Sequence, residues 1–488
     1  MYTMQIPEEV SQIIKKLRDG GHQACAVGGC VRDLLRDKLP RDWDVTTDAK
    51  PEEIQKIFSD SFYENRFGTV GVKTGSEIPS LAVVEVTTFR TEGDYQDRRH
   101  PDNVRFVQTL GEDLARRDFT INAIALKILS DAGGDSTYEA VDPCGGREDL
   151  KEKLIRAVGN PNDRLNEDAL RMMRAVRLAA ELDFAIETRT LDAIKTNAAL
   201  LKAVSQERIR DELEKLIMAD NAADGIRLLE DTKLLEYIVP ELREGIDVAQ
   251  NLHHIYTVFE HNVRALAYTA RKKYSLDVRM ASLLHDVGKP RTKRGDGKYA
   301  TFYGHDVVGA HMAEKILSRL RFPRETIEKI TLLVRYHLFY YNVGEVTESS
   351  VRRLLKNVGA ENIDDLVRVR EADRIGSGVP KAVPYKLRHF TYMVEKVSRD
   401  PISAKMLAID GNDVMRILAI EPGPKIGLVL NALLGEVLED PSKNTAEYLT
   451  RRTQEFGERT AEDLKVFLDA KERKIEEEEA AIRKKYYV

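Results

Sequence analysis

Ala24-Cys25-Ala26-Val27-Gly28-Gly29-Cys30-Val31-Arg32-Asp33-Leu34-Leu35, followed by Asp42-Trp43-Asp44-Val45-Thr46-Thr47, is the stretch from which the fold is read. Ala24 to Val27 has the small and β-branched content of a short strand, Gly28-Gly29 that of a turn, and Val31 to Leu35 that of a helix. At a strand-to-helix turn, backbone N–H groups and the helix dipole can receive an anion such as a triphosphate. Two glycines alone equally describe an ordinary tight turn with Arg32 and Asp33 as a surface pair. Asp42 and Asp44 are separated by one residue on a stretch that reads as β, which puts both carboxylates on one face. Two like charges held that close call for a cation, and oxygen ligands of this kind suit Mg²⁺ bound together with substrate phosphates. The alternative is a solvated turn bearing two aspartates. A third acid, Glu85 in Val83-Val84-Glu85-Val86, is either an exposed-face residue or an inward ligand, and spacing alone does not separate the two.

Upstream, Val10, Ile13, Ile14 and Leu17 follow the stripe of a short amphipathic helix that Gly20-Gly21 stops. Downstream, Val70 to Lys73 and Leu81 to Phe89 read as further strands, so the first unit is α/β or α+β, and the fold class expected for the chain is α+β, a mixed-sheet head followed by helical domains. After about Asp149 the helical period runs almost unbroken, most clearly over Glu167 to Leu182, Ser205 to Met218 and Ala222 to Leu235. A histidine-bearing helical zone follows from about Leu252 to Gly378. A last helical zone contains the turn Pro422-Gly423-Pro424 and ends in a charged run, Lys471 to Lys485, that reads as a solvated helix. These changes predict a head domain over 1–150 and helical units over 151–245, 246–380 and 381–488.

The 488 residues carry 76 Lys+Arg against 81 Asp+Glu, a formal net charge of -5, which excludes a polybasic binder and makes any nucleic-acid contact local. Cys25, Cys30 and Cys144 are too few for a disulfide framework and form no zinc-type pairs, so a reducing, cytoplasmic setting is expected. No apolar run of about 18 residues occurs, so no signal peptide or membrane span is expected.

Gly28-Gly29-Cys30-Val31-Arg32-Asp33, Arg41-Asp42-Trp43-Asp44-Val45-Thr46-Thr47, Phe89-Arg90-Thr91-Glu92-Gly93-Asp94-Tyr95 and Arg116-Arg117-Asp118-Phe119-Thr120-Ile121-Asn122-Ala123 resemble, in order, successive motifs of class II tRNA nucleotidyltransferases. These are the CCA-adding enzymes of the polymerase β-like superfamily. The resemblance continues through Glu167-Asp168, Arg171, Arg174 and Arg177 and through Ser205-Gln206-Glu207-Arg208-Ile209-Arg210 to Glu212. It implies a Mg²⁺ ion on Asp42 and Asp44; Glu85 is a further candidate catalytic carboxylate by its place on the strand. It implies nucleotide contacts on Gly28, Gly29, Arg32, Arg117, Asp118 and Asn122, and recognition on the 167–177 helix through Asp168, Arg171, Arg174 and Arg177. Substrates would be CTP, ATP and the tRNA 3′ end. The stretch Thr91 to Asp102, with Tyr95, Arg98 and Arg99, resembles the flexible loop that relatives adding only CC lack. Phe67-Gly68-Thr69-Val70-Gly71-Val72 looks like the CCA type rather than a bacterial poly(A) polymerase. A dedicated A-adding enzyme has much the same motifs.

The recognition step also follows from the residues. On a helix, Asp168 and Arg171 are i, i+3 neighbours and present an acceptor beside a planar donor. Cytosine and adenine both offer an amino donor next to a ring-nitrogen acceptor, whereas uracil and guanine would leave groups unpaired at about 1–3 kcal/mol each. A helical surface ion pair is the alternative.

Seven of ten histidines, His253, His254, His261, His285, His305, His311 and His337, fall in the third zone. Leu283-Leu284-His285-Asp286-Val287-Gly288-Lys289-Pro290, with His261 upstream and Asp373 downstream, resembles HD-type phosphohydrolases. The resemblance implies first metal ligands on His261, His285, Asp286 and Asp373 and a second set including His305 and His337. Mixed imidazole and carboxylate donors suit Mn, Fe, Ni or Co. The alternative is a retained structural domain with capping or core histidines. His253, His254 and His311 match no ligand position.

Overall fold

The computed structural model describes residues 2–3, 6–63, 68–92, 104–132, 135–251, 255–339, 341–344, 346–379 and 381–485. The chain divides into two compact units, 1–240 and 241–488.

The first unit begins with ten strands: β1 Tyr2–Thr3, β2 Ala24–Val27, β3 Asp44–Thr47, β4 Ser61–Tyr63, β5 Thr69–Lys73, β6 Val83–Thr88, β7 Arg90–Glu92, β8 Val104–Phe106, β9 Ala125–Ala132 and β10 Asp135–Val141. Eight form one sheet in the order β1-β10-β9-β2-β3-β6-β5-β4, and β7 with β8 form a separate ribbon. The sheet is mixed because β3 and β6 run parallel, in the register Asp44↔Glu85 and Val45↔Val86, while β2 pairs antiparallel with β3 and β9. One face is closed by the helices Glu8–Asp19 and Pro51–Ile57, whose Val10, Ile13, Ile14, Leu17 and Ile54 join Trp43, Val45, Val70, Val84 and Val86 in one core. Each such side chain stabilises by about 1.5–3 kcal/mol relative to exposure, which is why the alternation in β6 is decided by Val84 and Val86. Those two point into the core, and Glu85 is left on the open face.

Apart from a small parallel pair of strands, Leu154–Ile155 with Ala185–Ile186, the rest of this unit is mainly helical: Pro161–Glu167, Leu170–Leu182, Thr188–Asn197, Gln206–Met218 and Ala222–Asp231. Two expected helices differ. The stretch from Glu167 to Leu182 is broken at Asp168, whose φ of -141° and ψ of 105° are extended, and whose carboxylate accepts from the Leu170 N–H at 3.0 Å. The predicted helix to Leu235 ends at Asp231. Lys233 then adopts a φ of 63° and turns the chain into the short helix Leu235–Ile238.

In the second unit, helices Val258–Arg271, Leu276–Leu284, His305–Arg319, Arg324–Tyr336 and Ile363–Gly376 carry the expected histidine zone. Gly288 makes its convergence feasible: a Cβ there would lie 2.4 Å from the His305 carbonyl oxygen and 2.6 Å from the Gly309 nitrogen. A side chain at Gly288 would therefore keep the turn after Asp286 from approaching the His305–Arg319 helix so closely. Beyond it, Val414, Val429, Leu433, Val437, Leu449, Phe456 and Leu464 form a separate helical core, and the chain ends in the helix Ala461–Lys485. Among the described residues, no helix is long and apolar enough to cross a membrane.

Candidate active sites

The open face of the head sheet and the helical part of the first unit enclose a cleft of about 420 Å³. Asp44, at the start of β3, and Glu85, its register partner on β6, line it side by side. The parallel register resolves Glu85 onto the open face with Asp44. Asp42 lies in the bend before β3 rather than on the strand. The buried Trp43 between them still leaves Asp42 exposed and Asp44 half-buried, as alternation requires.

Gly28, with a φ of 85°, sits in a backbone region that L side chains rarely adopt. A Cβ there would be 3.1 Å from Arg117 Nη1 and 3.4 Å from Asp44 Oδ2, so its bareness lets a cation and a carboxylate face each other across the turn. Gly29 begins the helix Gly29–Leu34. Arg32 from that helix is already engaged: it donates to both carboxylate oxygens of Asp33, at 2.9 and 3.0 Å, and to Asn122 Oδ1 at 3.0 Å.

Six arginines, Arg90, Arg116, Arg117, Arg171, Arg174 and Arg208, line the cleft with Asp44, Glu85, Asp118 and Asp168. A cleft lined in this way favours a polyphosphate held beside a cation site. Arg116 and Arg117 are set by Asp113, a fully buried acid one turn earlier on the helix Leu110–Ala115, at 2.9 and 3.2 Å. Burial alone would raise the Asp113 carboxyl, but Arg117 and Arg116 outweigh it and hold it below the usual range. Asp118 accepts from Arg174 at 2.7 and 2.9 Å and from Asn122 at 3.2 Å. Here too burial opposes ionisation and Arg174 overcomes it, keeping the carboxyl well below the carboxylate range. Arg177 turns away from the cleft lining and pairs with Glu212 and Glu181, both at 2.6 Å.

Asp168 and Arg171 both line the cleft, Arg171 from the helix Leu170–Leu182 and Asp168 from the extended backbone that precedes it. Asp168 Oδ2 pairs with Arg208 at 2.6 Å, and Arg171 pairs with Glu167 at 2.5 Å. Arg116 and Arg208 lie in stretches whose motifs were legible, yet neither stood out as a site residue. Asp113, three and four residues before that arginine pair, has the helical spacing that could have revealed it. Thr91 and Glu92 belong to β7, whereas the expected loop residues Gly93 to Asp102 lie outside the described residues, as do Phe67, His253 and His254.

In the second unit all six expected ligands converge. His261, His285, Asp286 and Asp373 form one buried group able to hold a metal ion, and Asp286, His305 and His337 form another. Asp286 belongs to both: Oδ2 lies 3.0 Å from His261 Nε2 and 3.3 Å from His285 Nε2, and Oδ1 lies 3.2 Å from His305 Nε2 and 3.6 Å from His337 Nε2. The Nδ1 atoms of His285, His305 and His337 face the carbonyl oxygens of Ser282, Phe302 and Val334 at 2.6–2.8 Å, which directs each Nε2 inward. Asp286 Oδ1 and the Nε2 atoms of His305 and His337 are buried without a hydrogen-bond partner, while Asp286 Oδ2 meets the Lys289 ammonium at 2.5 Å. Buried polar atoms are otherwise almost always satisfied, so this donor set fits metal ions and does not fit a capping role. Burial would lower His285, but Asp286 raises it to about 9; burial dominates at His337 and pushes it down to about 4. His311 stands apart on the surface, 3.9 Å from Glu314.

A nucleotidyltransferase head with a helical reader, joined to an HD-type unit, is the class that fold and sites define. Residues 24–156 match the poly A polymerase head domain family, 183–246 the family described as the probable RNA and SrmB-binding site of polymerase A, and 258–376 the HD domain family. The chain is 34% identical over 466 residues to the CCA-adding enzyme of Limosilactobacillus reuteri, covering 93% of this chain and 99% of that one. It is 36% identical over 439 residues to the A-adding tRNA nucleotidyltransferase of Deinococcus radiodurans, covering 85% and 92%. The crystal structure of the Bacillus stearothermophilus CCA-adding enzyme in complex with CTP superposes with a TM-score of 0.69 at 29% identity, covering 92% of this chain and 98% of that one. The chain therefore belongs to the class II CCA-adding tRNA nucleotidyltransferases, in the form that carries an HD domain.

Proposed function

We propose that this chain builds the tRNA 3′ end from CTP and ATP in the first-unit cleft, and that the second unit is a separate metal-dependent phosphohydrolase. The observation that carries the first part is the register pair Asp44 and Glu85 facing Arg117 and five further arginines in one cleft. Asp42, Asp44 and Glu85 would hold Mg²⁺, which when bound activates the 3′ hydroxyl and offsets charge at the α-phosphate. The 3′ oxygen bonds to the α-phosphorus as the bond to pyrophosphate breaks, and the arginines' task is positioning and charge stabilisation. Arg117 and Arg116, fixed by Asp113, are placed for the triphosphate, with Arg32 and Asn122 bracing the glycine turn. Asp168, Arg171 and Arg174 are placed for the base.

Asp168 with its oxygens fixed by Arg208 and the Leu170 N–H stays an acceptor and favours the amino groups of cytosine and adenine. Asp168→Ala is expected to relax discrimination against UTP and GTP by about 5- to 150-fold, the equivalent of about 1–3 kcal/mol. Competition between labelled nucleotides measures this, and an unchanged preference would return Asp168 and Arg208 to a structural ion pair. Likeness to the D. radiodurans protein favours a second reading, addition of A alone.

In the second unit, His261, His285, Asp286 and Asp373 would hold one ion and Asp286, His305 and His337 another. Mn, Fe, Ni or Co suit these donors and would polarise a phosphoryl group for attack by water. The buried Asp286 Oδ1 and the Nε2 atoms of His305 and His337, which have no hydrogen-bond partner, support this reading.

A further inference from the structure

The helix Tyr385–Val397 buries Leu387, Phe390, Met393 and Val397, and Phe390 packs on Phe339 with ring centroids 4.6 Å apart. Its opposite face carries Tyr385, His389 and Tyr392 at i, i+4 and i+7. Tyr385 is 64% and Tyr392 59% exposed, although a tyrosine ring is a large apolar surface to leave in water. Tyr385 and His389 centroids are 6.3 Å apart, and His389 and Tyr392 centroids 6.4 Å apart, so the three rings form one continuous strip on a single helix face. Seven residues of helix give this strip a length of about 10 Å.

Cations frame the strip. Lys386 donates to Asn342 Oδ1 at 2.8 Å, Arg388 to the Val383 carbonyl oxygen at 3.2 Å, and Lys396, one turn beyond Tyr392, pairs with Glu348. Residues 381–400 hold five cations, Lys381, Lys386, Arg388, Lys396 and Arg399, against Glu395 and Asp400, within a chain whose net charge is -5. All five are exposed. The helix's remaining apolar residues are mostly buried, so the strip lacks the aliphatic anchors that a helix-docking protein surface carries.

We propose that Tyr385, His389 and Tyr392 form a stacking platform for unpaired bases of the tRNA substrate, with Lys386, Arg388 and Lys396 beside the adjoining phosphates. This rests on tRNA being the substrate. Exposed aromatic rings interleaved with cations are the chemistry that holds single-stranded nucleic acid, because every base has a π face and every linkage a negative charge. Bases inside an A-form stem are unavailable to such rings, so the platform takes a loop or an unpaired end.

The test is the affinity of the full-length enzyme for tRNA lacking its terminal CCA, measured at one fixed salt concentration. Tyr385→Ala with Tyr392→Ala should weaken binding about tenfold or more, raise KM for tRNA, and leave kcat at saturating tRNA and KM for CTP unchanged. Tyr385→Phe with Tyr392→Phe keeps the rings and should bind as wild type. Thermal melting of both variants separates misfolding from lost contact. Unchanged affinity in the folded alanine variant overturns the platform, and so does equal weakening by the phenylalanine variant, which would assign the effect to the hydroxyl groups. Wild-type protein that binds this tRNA yet adds nothing to it would contradict the activity proposed above, while the affinity comparison still decides the platform.

Discussion

Asp44→Ala should lower CMP and AMP incorporation at least about a thousandfold, the equivalent of about 4 kcal/mol in the barrier, while leaving the fold and tRNA affinity nearly unchanged. Asp44 begins β3, lies beside Glu85 across the parallel register and faces Arg117 over the bare Gly28. Its removal takes away a cation ligand and leaves the arginine-rich wall with less opposing charge. It disturbs little packing, because the neighbouring Trp43 and Val45 supply the core on the other side of the strand. Incorporation of labelled CMP into tRNA measures the effect, with Asp42→Ala as a companion. Either variant working at the wild-type rate would remove its carboxylate from the site.

Asp286→Asn should strip metal from the second unit and abolish its hydrolytic activity, while nucleotide addition continues at the wild-type rate. One carboxylate serves both metal-ligand groups, so a single change of charge disables both. Asparagine is preferred to alanine because its amide oxygen can still accept from the Lys289 ammonium, which lies 2.5 Å from Asp286 Oδ2, whereas alanine would leave that buried donor facing neither charge nor acceptor there. Elemental analysis of purified protein reads the metal, and hydrolysis of 2′,3′-cyclic nucleotides and phosphomonoesters with Mn, Fe, Ni or Co reads the chemistry. Wild-type protein with no such metal and no hydrolysis under any of them would leave the histidines a structural role.

The parts of the fold that local patterns control were legible. Glycines 20 and 21 end the first helix, Val84 and Val86 set the face of β6, and the stripe of Ser205 to Met218 becomes the helix Gln206–Met218. The six candidate metal-ligand positions were legible through the resemblance to HD-type phosphohydrolases rather than from the adjacent His-Asp pair alone, and the structure brings all six together. What local pattern could not carry was long-range partnership. Glu85 remained undecided until a strand some forty residues earlier in the chain aligned Asp44 beside it. Nothing between Glu167 and Leu182 is a helix breaker, yet Arg208, forty residues on, and the Leu170 N–H hold Asp168 in an extended conformation. Both Asp168 and Arg171 still line the cleft, with Asp168 paired to Arg208 and Arg171 to Glu167. Asp113 was missed for a related reason: an acid that organises two arginines is inconspicuous until its burial is known.

The most direct measurement is incubation of the enzyme with tRNA lacking its terminal CCA and each labelled nucleotide in turn. The account predicts that CTP alone adds C and stops, that ATP then completes the end, and that UTP and GTP are refused. Addition of A to tRNA already ending in CC, with no C added to the shorter tRNA, would contradict it and assign the chain to A addition alone.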